Sequence, residues 1–399
     1  MEIAEDAPAL MHNLATSPVA VVDLPDPALI TSQWLVVQPR VTGICGSDIK
    51  QVLMDFDGSA DNMMSAFISF PQVLGHEVVG TVTELGADAG DFEVGQRVVL
   101  YPNTGCRARG IDQLCSACAS GDYSICHNWW SGDLSAGIHS GNSIEATGGF
   151  ATALPAHSSM LFAVPDSVPD ELAVLADPWS VSFHAITRNP PKRGGRVLVY
   201  GAGALGQTAT AILKQLYDCE VLTIARWKSQ QSLAEARGAQ VLMSEPLEED
   251  ATDLVKQIAE WSGAQLHRPF EGLPVCYPGG VDLVYDTVGS PETVEVSMRV
   301  LCERGTLVQM GVGAPGRFEW TPWYFKELSL RGSNAFGVEV FEGVTAHAYE
   351  HFFALIKAGR IDLDGMLTNT YPLDQWREAF TDIVQAGSTG VIKAAFDFR

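Results

Sequence analysis

The sequence predicts an α/β protein of two modules, a β-rich one followed by a doubly wound parallel sheet. Three observations predict it. Short Val-rich strands run through residues 19–100. Near residue 195 the rhythm changes to alternating strands and helices. A glycine turn sits at the first of those strand-to-helix joins.

The β-rich module shows in "WLVVQPRVTGICG", "VVGTVTELG" and "VGQRVVLYP", each bounded by Gly or Pro. Residues 102–150 differ: they are rich in Gly, Ser, Asn and Cys and carry few periodic apolar positions. Such a lobe cannot bury much core and needs a cross-link. From residue 195, "GRVLVYGAGALGQTATAILKQLYDCEVLTIARW" reads as strand, glycine turn, helix, strand. "QSLAEARGAQVLM" is a helix closed by Gly238 and then a short strand. "VDLVYDTVGS" is a buried strand, followed by the helix "PETVEVSMRVLCERG" and the strand "TLVQMGV". The segment 264–280 reads as a loop without evident chemistry, and the tail from about 336 as mixed helix and short strands returning to the first module. The expected domains are therefore 1–182, 183–335 and a return segment 336–399.

Composition narrows the function. The 399 residues are 46% hydrophobic and 18% charged, ordinary for a folded chain of two domains. The net charge of −23 disfavours nucleic acid and anionic membrane surfaces as partners, because both require clustered Lys and Arg. No apolar run reaches the roughly 20 residues needed to span a bilayer. The acidic start "MEIAEDAPAL" is unlike a signal peptide, so a reducing cytoplasm is the expected compartment. In such a compartment closely spaced cysteines more often bind metal than form disulfides.

In "VLVYGAGALGQ", Gly201, Gly203 and Gly206 follow a strand and open a helix. Gly201 makes the turn, Gly203 lets backbone approach a pyrophosphate, and Gly206 lets helix and strand pack closely. The helix start at Ala204 and Leu205 offers its N–H groups to the phosphates. This is a dinucleotide-binding pattern. At the end of the next strand an NAD site usually places a carboxylate. Arg226 and Lys228 stand there instead, which favours NADP, with its 2′-phosphate, over NAD. The alternative is that both cations are merely solvated.

Two sets of metal-ligand residues occur. Cys106, Cys115, Cys118 and Cys126 suit a structural zinc site holding the polar lobe. An Asp112–Cys₃ site, disulfides and four free buried thiols are the alternatives. The second set is dispersed: Cys45 in "GICGSDIK", His76 and Glu77 in "LGHEVVG", and Asp177 in "LADPWSVSFHAI". Each of these is weak alone, since a buried Cys or His is usually structural.

Taken together, "GICGSD", "GHEVVGTVTELG", "VGQRVVLYP", the cysteine lobe, "ADPWSVSFHA" and "GAGALG" resemble, in order, the zinc-dependent medium-chain alcohol and polyol dehydrogenase family, most closely its sorbitol and threonine dehydrogenase branch. The resemblance implies a GroES-like catalytic domain interrupted by a Rossmann domain, with the active site in a cleft. It implies Cys45, His76 and Asp177 as catalytic zinc ligands, Asp177 replacing the Cys or Glu of relatives, with water or Glu77 completing the shell. Glu77 resembles the family's adjacent carboxylate, able to approach the metal. Asp48 resembles the acceptor that orients His76; its alternative is a turn cap. Ser47 resembles the hydroxyl that carries the substrate proton outward, with Lys50 where some relatives continue the relay with His; its alternative is a turn serine. Val288 and "MGVGA", including Gly311, resemble the nicotinamide-pocket segments; strand-end packing is their alternative.

The implied activity is hydride transfer between NADP(H) and an alcohol or polyol, or the matching aldehyde or ketone, aided by zinc as a Lewis acid. The expected partners are that small substrate and further copies of the chain, as a dimer or tetramer. Competing readings are a metal-independent NADP-dependent reductase of an activated double bond or imine, and a non-catalytic relative that only binds cofactor. The insertion "DFDGSADNMMSAFISF" and Trp129, Trp130 and Trp179 are candidates to shape the substrate pocket.

Overall fold

The computed structural model describes residues 9–53, 63–244, 251–313 and 316–399. The insertion after helix Gly46–Leu53 lies partly outside these residues, as does Ala314 of the "MGVGA" segment. The chain divides into two compact units. One comprises 1–177, 336–357 and 367–399; the other comprises 178–335 and 358–366.

In the first unit, strand Trp34–Gly43 is the hub of the sheet. It pairs antiparallel with Glu77–Leu85, with Leu154–His157 and with the C-terminal strand Lys393–Asp397. Its sequence is buried almost throughout rather than alternating, as in a strand covered on both faces. Pro39 cannot donate to a ladder, and the register shifts between Pro39 and Val41. The sheet continues outward through Arg97–Leu100 to Leu161–Ala163, and through Lys393–Asp397 to Leu367–Tyr371. The tail is thus built into the first unit's sheet. Trp34, Leu35, Val37, Val82, Leu154 and Met160 fill the core.

The cysteine lobe has little regular structure beyond the short helix Ser116–Ser120. Arg109 helps to hold it. The guanidinium is fully buried and donates to the carbonyls of Thr104, Ser131, Leu134, Ser135 and Gly137. One planar group with five N–H donors therefore ties together a stretch that lacks helix or sheet ladders.

The second unit is a parallel sheet in the spatial order 329–332, 301–309, 281–286, 195–200, 219–225, 240–243. Strand order reverses at Gly195–Tyr200, which is where doubly wound sheets open a crevice for ligands. Leu198, Ile224, Val255, Ile258, Val284, Val296 and Leu307 form its core. Two details differ from the sequence reading. Residues 264–280 are not a plain loop, because Leu266–His267 pairs antiparallel with Val275–Cys276. The strand expected at "TLVQMGV" begins earlier, at Leu301, directly after helix Pro291–Val300.

Candidate functional site

Cys45 follows the end of strand Trp34–Gly43, and Glu77 opens the strand antiparallel to it. The pairing of Gly43 with Glu77 brings residues 34 apart in sequence onto one rim of the sheet. A side chain at Gly43 would displace the Glu77 carboxylate, so the glycine leaves room for that group in its present place. His76 precedes that strand. The ligand atoms of Cys45, His76 and Glu77 all lie within 4.8 Å of one another.

Asp48 sits in the first turn of helix Gly46–Leu53 and is 1% exposed. Its carboxylate accepts the Cys45 N–H at 2.9 Å and the Gly75 N–H at 3.3 Å. Its Oδ1 also lies 3.5 Å from His76 Nδ1. Burial alone would raise the Asp48 pKa, but the His76 charge and these bonds bring it below the usual carboxylate value. Burial alone would lower the His76 pKa, but Asp48 and Cys45 raise it well above the ordinary value. The site is therefore one that favours positive charge, as a cation-binding centre requires.

Asp177 does not join the Cys45, His76 and Glu77 group. It is buried beside it, at the start of helix Ala176–Arg188, and accepts the Tyr349 hydroxyl at 3.3 Å. Burial first, and then the Glu77 charge, push its carboxyl up to about 7. Glu77 forms an ion pair with Lys393, which also donates to the Ile44 carbonyl at 2.9 Å. Ser47 is half-buried in the same helical turn as Asp48, and Lys50 lies farther along that helix.

Sequence reasoning missed three neighbours. Lys393 is the one cation of the strand KAAFD, placed before Ala394, Ala395 and Phe396, and that pattern is its only signal. Tyr349 lies in the tail with no local mark. His139 packs its ring 4.5 Å from His76; burial holds it down to about 3, so it is neutral. Trp179 is fully buried and stacks on Phe183 at 4.5 Å, which makes it core. Trp129 is also buried, whereas Trp130 is exposed and donates to the Ala66 carbonyl.

The four lobe cysteines form the second group. All are free thiols, and Cys106 and Cys126 have their sulfurs 3.7 Å apart, far beyond a disulfide bond. Asp112 is not in the group. Four sulfurs about 2.3 Å from a tetrahedral zinc would stand about 3.8 Å apart. The observed 3.7 Å and the 4.0 Å between Cys115 and Cys126 fit that spacing. Backbone N–H groups of Cys115, Cys118, His127 and Asn128 point at these sulfurs. Such donors favour thiolate; the hydrogen bond from the Cys118 thiol leads in lowering Cys126, and the same contact raises Cys118, which holds the shared proton.

In the second unit Gly201 adopts φ +93° after strand Gly195–Tyr200, and Gly203 caps helix Ala204–Leu216. A Cβ on Gly206 would lie 2.0 Å from the Gly201 carbonyl oxygen, so only glycine allows this packing. A Cβ on Gly203 would meet nothing within 4 Å, leaving open space before the N–H groups of Ala204 and Leu205. That is the room a pyrophosphate needs. Arg226 and Lys228 are both exposed at the end of strand Cys219–Ala225, and Arg226 lies over the Trp227 ring at 4.9 Å. The Asp286 carboxylate accepts the Val288 and Gly289 N–H groups, fixing a turn against which Gly311 packs.

No helix among the described residues is long and apolar enough to cross a membrane. Residues 31–166 match the alcohol dehydrogenase GroES-like domain family and residues 204–350 the zinc-binding dehydrogenase family. A Saccharomyces cerevisiae protein named probable diacetyl reductase, (R)-acetoin forming, is 28% identical over 86% of this chain and 77% of its own. Sorbitol dehydrogenase of Bacillus subtilis is 22% identical over 94% of this chain and 93% of its own. The crystal structure of Bacillus subtilis 2R,3R-butanediol dehydrogenase superposes with a TM-score of 0.70 at 22% identity, covering 95% of this chain and 96% of that one. The chain belongs to the zinc-dependent medium-chain alcohol and polyol dehydrogenase family.

Proposed function

We propose that this dehydrogenase transfers hydride between NADP(H) and a small secondary alcohol, diol or polyol, or the corresponding ketone. The observation that carries this reading is the meeting of Cys45, His76 and Glu77 ligand atoms within 4.8 Å. The names of relatives that act on sorbitol and butanediol support the substrate class.

Cys45, His76 and Glu77 are the residues that would hold the catalytic zinc. One thiolate and one carboxylate would balance its charge. Asp48 keeps His76 oriented from its Nδ1 side, leaving Nε2 as the ligating nitrogen. Asp177 is assigned beside the metal rather than to its inner shell, held by Tyr349 where it can hold a water. Lys393 restrains the Glu77 carboxylate. When bound, zinc supplies Lewis acidity that makes the substrate hydroxyl acidic near neutral pH, and the nicotinamide supplies the hydride acceptor. Ser47 would relay the proton released by that hydroxyl, accepting it at Oγ while its own hydroxyl proton passes outward to solvent. Gly201, Gly203, Ala204, Leu205 and Gly206 cradle the pyrophosphate, with Val288 and Gly311 as neighbours of the nicotinamide. Arg226 and Lys228 bind the 2′-phosphate. The four lobe cysteines hold a structural zinc. The exposed Trp320, Trp323, Tyr324 and Phe325 support a homo-oligomer, a dimer or tetramer, and the reduced cysteines support a cytoplasmic setting.

The test is a panel of alcohols and ketones assayed with NADP(H) and NAD(H) side by side, with zinc measured per chain. The reading expects activity on diols or polyols, better kcat/KM with NADP, and about two zinc ions per chain. Equal or better use of NAD would overturn the roles of Arg226 and Lys228.

A further inference from the structure

One buried histidine beside the open metal-ligand group has no part in the hydride-transfer reading. His139 lies in a segment that the main chain fastens to the stretch ending in His76. The N–H groups of Gly148, Gly149 and Phe150 donate to the carbonyls of Val73, Gly75 and Leu74. Residue 139 itself forms a backbone bridge with Asn103. The backbone therefore fixes the place of His139, and its ring lies 4.5 Å from the His76 ring, tilted by 39°.

The state of that ring follows from its contacts. Nδ1 stands 2.7 Å from the Ser140 carbonyl, which can only accept, so Nδ1 carries a proton. Burial, and then the His76 charge, keep the ring neutral. A neutral imidazole with its proton on Nδ1 has an acceptor lone pair at Nε2. Among the described residues Nδ1 is the only atom of this ring that hydrogen-bonds. Nε2 is not one of the sealed, unpaired atoms of the interior either, so it meets open space. The residue is 9% exposed, and this acceptor belongs to the part left open. His139 is not itself a ligand, since neither of its nitrogens joins the Cys45, His76 and Glu77 atoms. It stands one ring farther out.

We propose that His139 is a substrate-binding residue whose Nε2 accepts the hydroxyl on the carbon next to the reacting one. The proposal rests on the hydride-transfer reading. A substrate whose reacting oxygen meets the Cys45, His76 and Glu77 group has its next carbon within reach of the ring beside His76. An acceptor there favours a donor, and a hydroxyl supplies one without charge. An ammonium would also donate, but it would add a positive charge beside a centre that already holds a cation. A simple secondary alcohol would set a methyl group against the lone pair and strip its water, which costs binding. The contact serves both directions of the reaction, because the hydroxyketone formed from a diol keeps its second hydroxyl. His139 thus makes the site prefer vicinal diols to simple alcohols.

The test compares butane-2,3-diol with butan-2-ol, which lacks only the second hydroxyl, on the zinc-loaded full chain. His139→Phe keeps a ring and removes the acceptor. It should lower kcat/KM for the diol about tenfold more than for butan-2-ol, with most of the difference in KM. His139→Gln, whose amide oxygen accepts, should recover much of that difference. Nitrogen NMR of labelled histidine gives a readout free of turnover: butane-2,3-diol should shift His139 Nε2, and butan-2-ol should not. A melting curve reports whether each variant is folded, and the NMR signature of the unaltered protein decides even if a variant is not. A parallel loss on both alcohols would overturn the proposal, because a ring that merely props His76 serves them alike. So would an unchanged preference for the diol, or a diol that leaves Nε2 unmoved. If the unaltered protein oxidises neither alcohol, the substrate class of the hydride-transfer reading fails instead, and the nitrogen shift alone decides for or against His139.

Discussion

The two metal-ligand groups of the first unit are built in opposite ways. The lobe group draws four like donors from residues 106–126, and backbone N–H groups point at its sulfurs. The other group takes unlike donors from Cys45, His76 and Glu77, with Asp177, Lys393 and Tyr349 packed behind. Four thiolates close a tetrahedron and leave no position for chemistry. Three mixed donors leave a position open, and the charges around them tune whatever enters it. The lobe has few ladders and a small apolar cluster built around its cysteines, so a closed metal bound there would contribute folding energy. The rim of the sheet is already held by strand pairing, so a metal bound there would be free to serve reactivity instead.

If that contrast is right, damage to the two groups should have separable consequences. The largest effect is expected from His76→Ala, which should lower kcat/KM by about a thousandfold, several kcal/mol of transition-state stabilisation. Its thermal midpoint should stay within a few degrees of the parent's. Steady-state kinetics and a melting curve check both halves. Cys118→Ser should do the reverse, costing about 3 kcal/mol of stability and lowering the melting temperature by about 10 °C. Activity per folded molecule at low temperature should survive. A smaller effect is expected from Asp48→Asn, which removes the carboxylate facing His76. Zinc affinity at the open site should fall about 10- to 100-fold, measured by chelator competition, while the lobe metal stays. The smallest concerns the cofactor. Arg226→Ala should raise the KM for NADP by about tenfold and leave that for NAD nearly unchanged. Loss of NAD use to the same degree would mean that Arg226 holds something other than the 2′-phosphate.

The same contrast explains what was legible in the sequence. The lobe could be read from spacing, because its ligands lie within one short stretch and the composition around them demands a cross-link. The glycine loop could be read for the same reason, each glycine having a local task. The open site was legible only as a set of scattered residues, made coherent by resemblance to a family. The sequence reading put Asp177 among the ligands, whereas the structure groups Glu77 with Cys45 and His76 and leaves Asp177 behind them. The reason is geometric. His76 and Glu77 are adjacent at the start of a strand whose partner ends in Gly43, and the missing side chain there leaves space for the Glu77 carboxylate. Nothing near Asp177 in sequence reports that space. Lys393 and Tyr349 come from the returning tail, so their partners lie hundreds of residues away. Arg109 is similar: nothing local in "GCRARG" marks it as the buried clamp of the lobe.

The most direct test of this division of labour is the zinc content of three purified proteins: the parent, Cys45→Ser with His76→Ala, and Cys118→Ser. The account predicts about two ions per chain in the parent. The double variant should hold about one, be inactive and melt like the parent. Cys118→Ser should lose the lobe ion, melt early and still turn over substrate. A parent holding only one ion, or a double variant that loses both ions and its fold together, would contradict the claim that one metal holds the lobe while the other serves the chemistry.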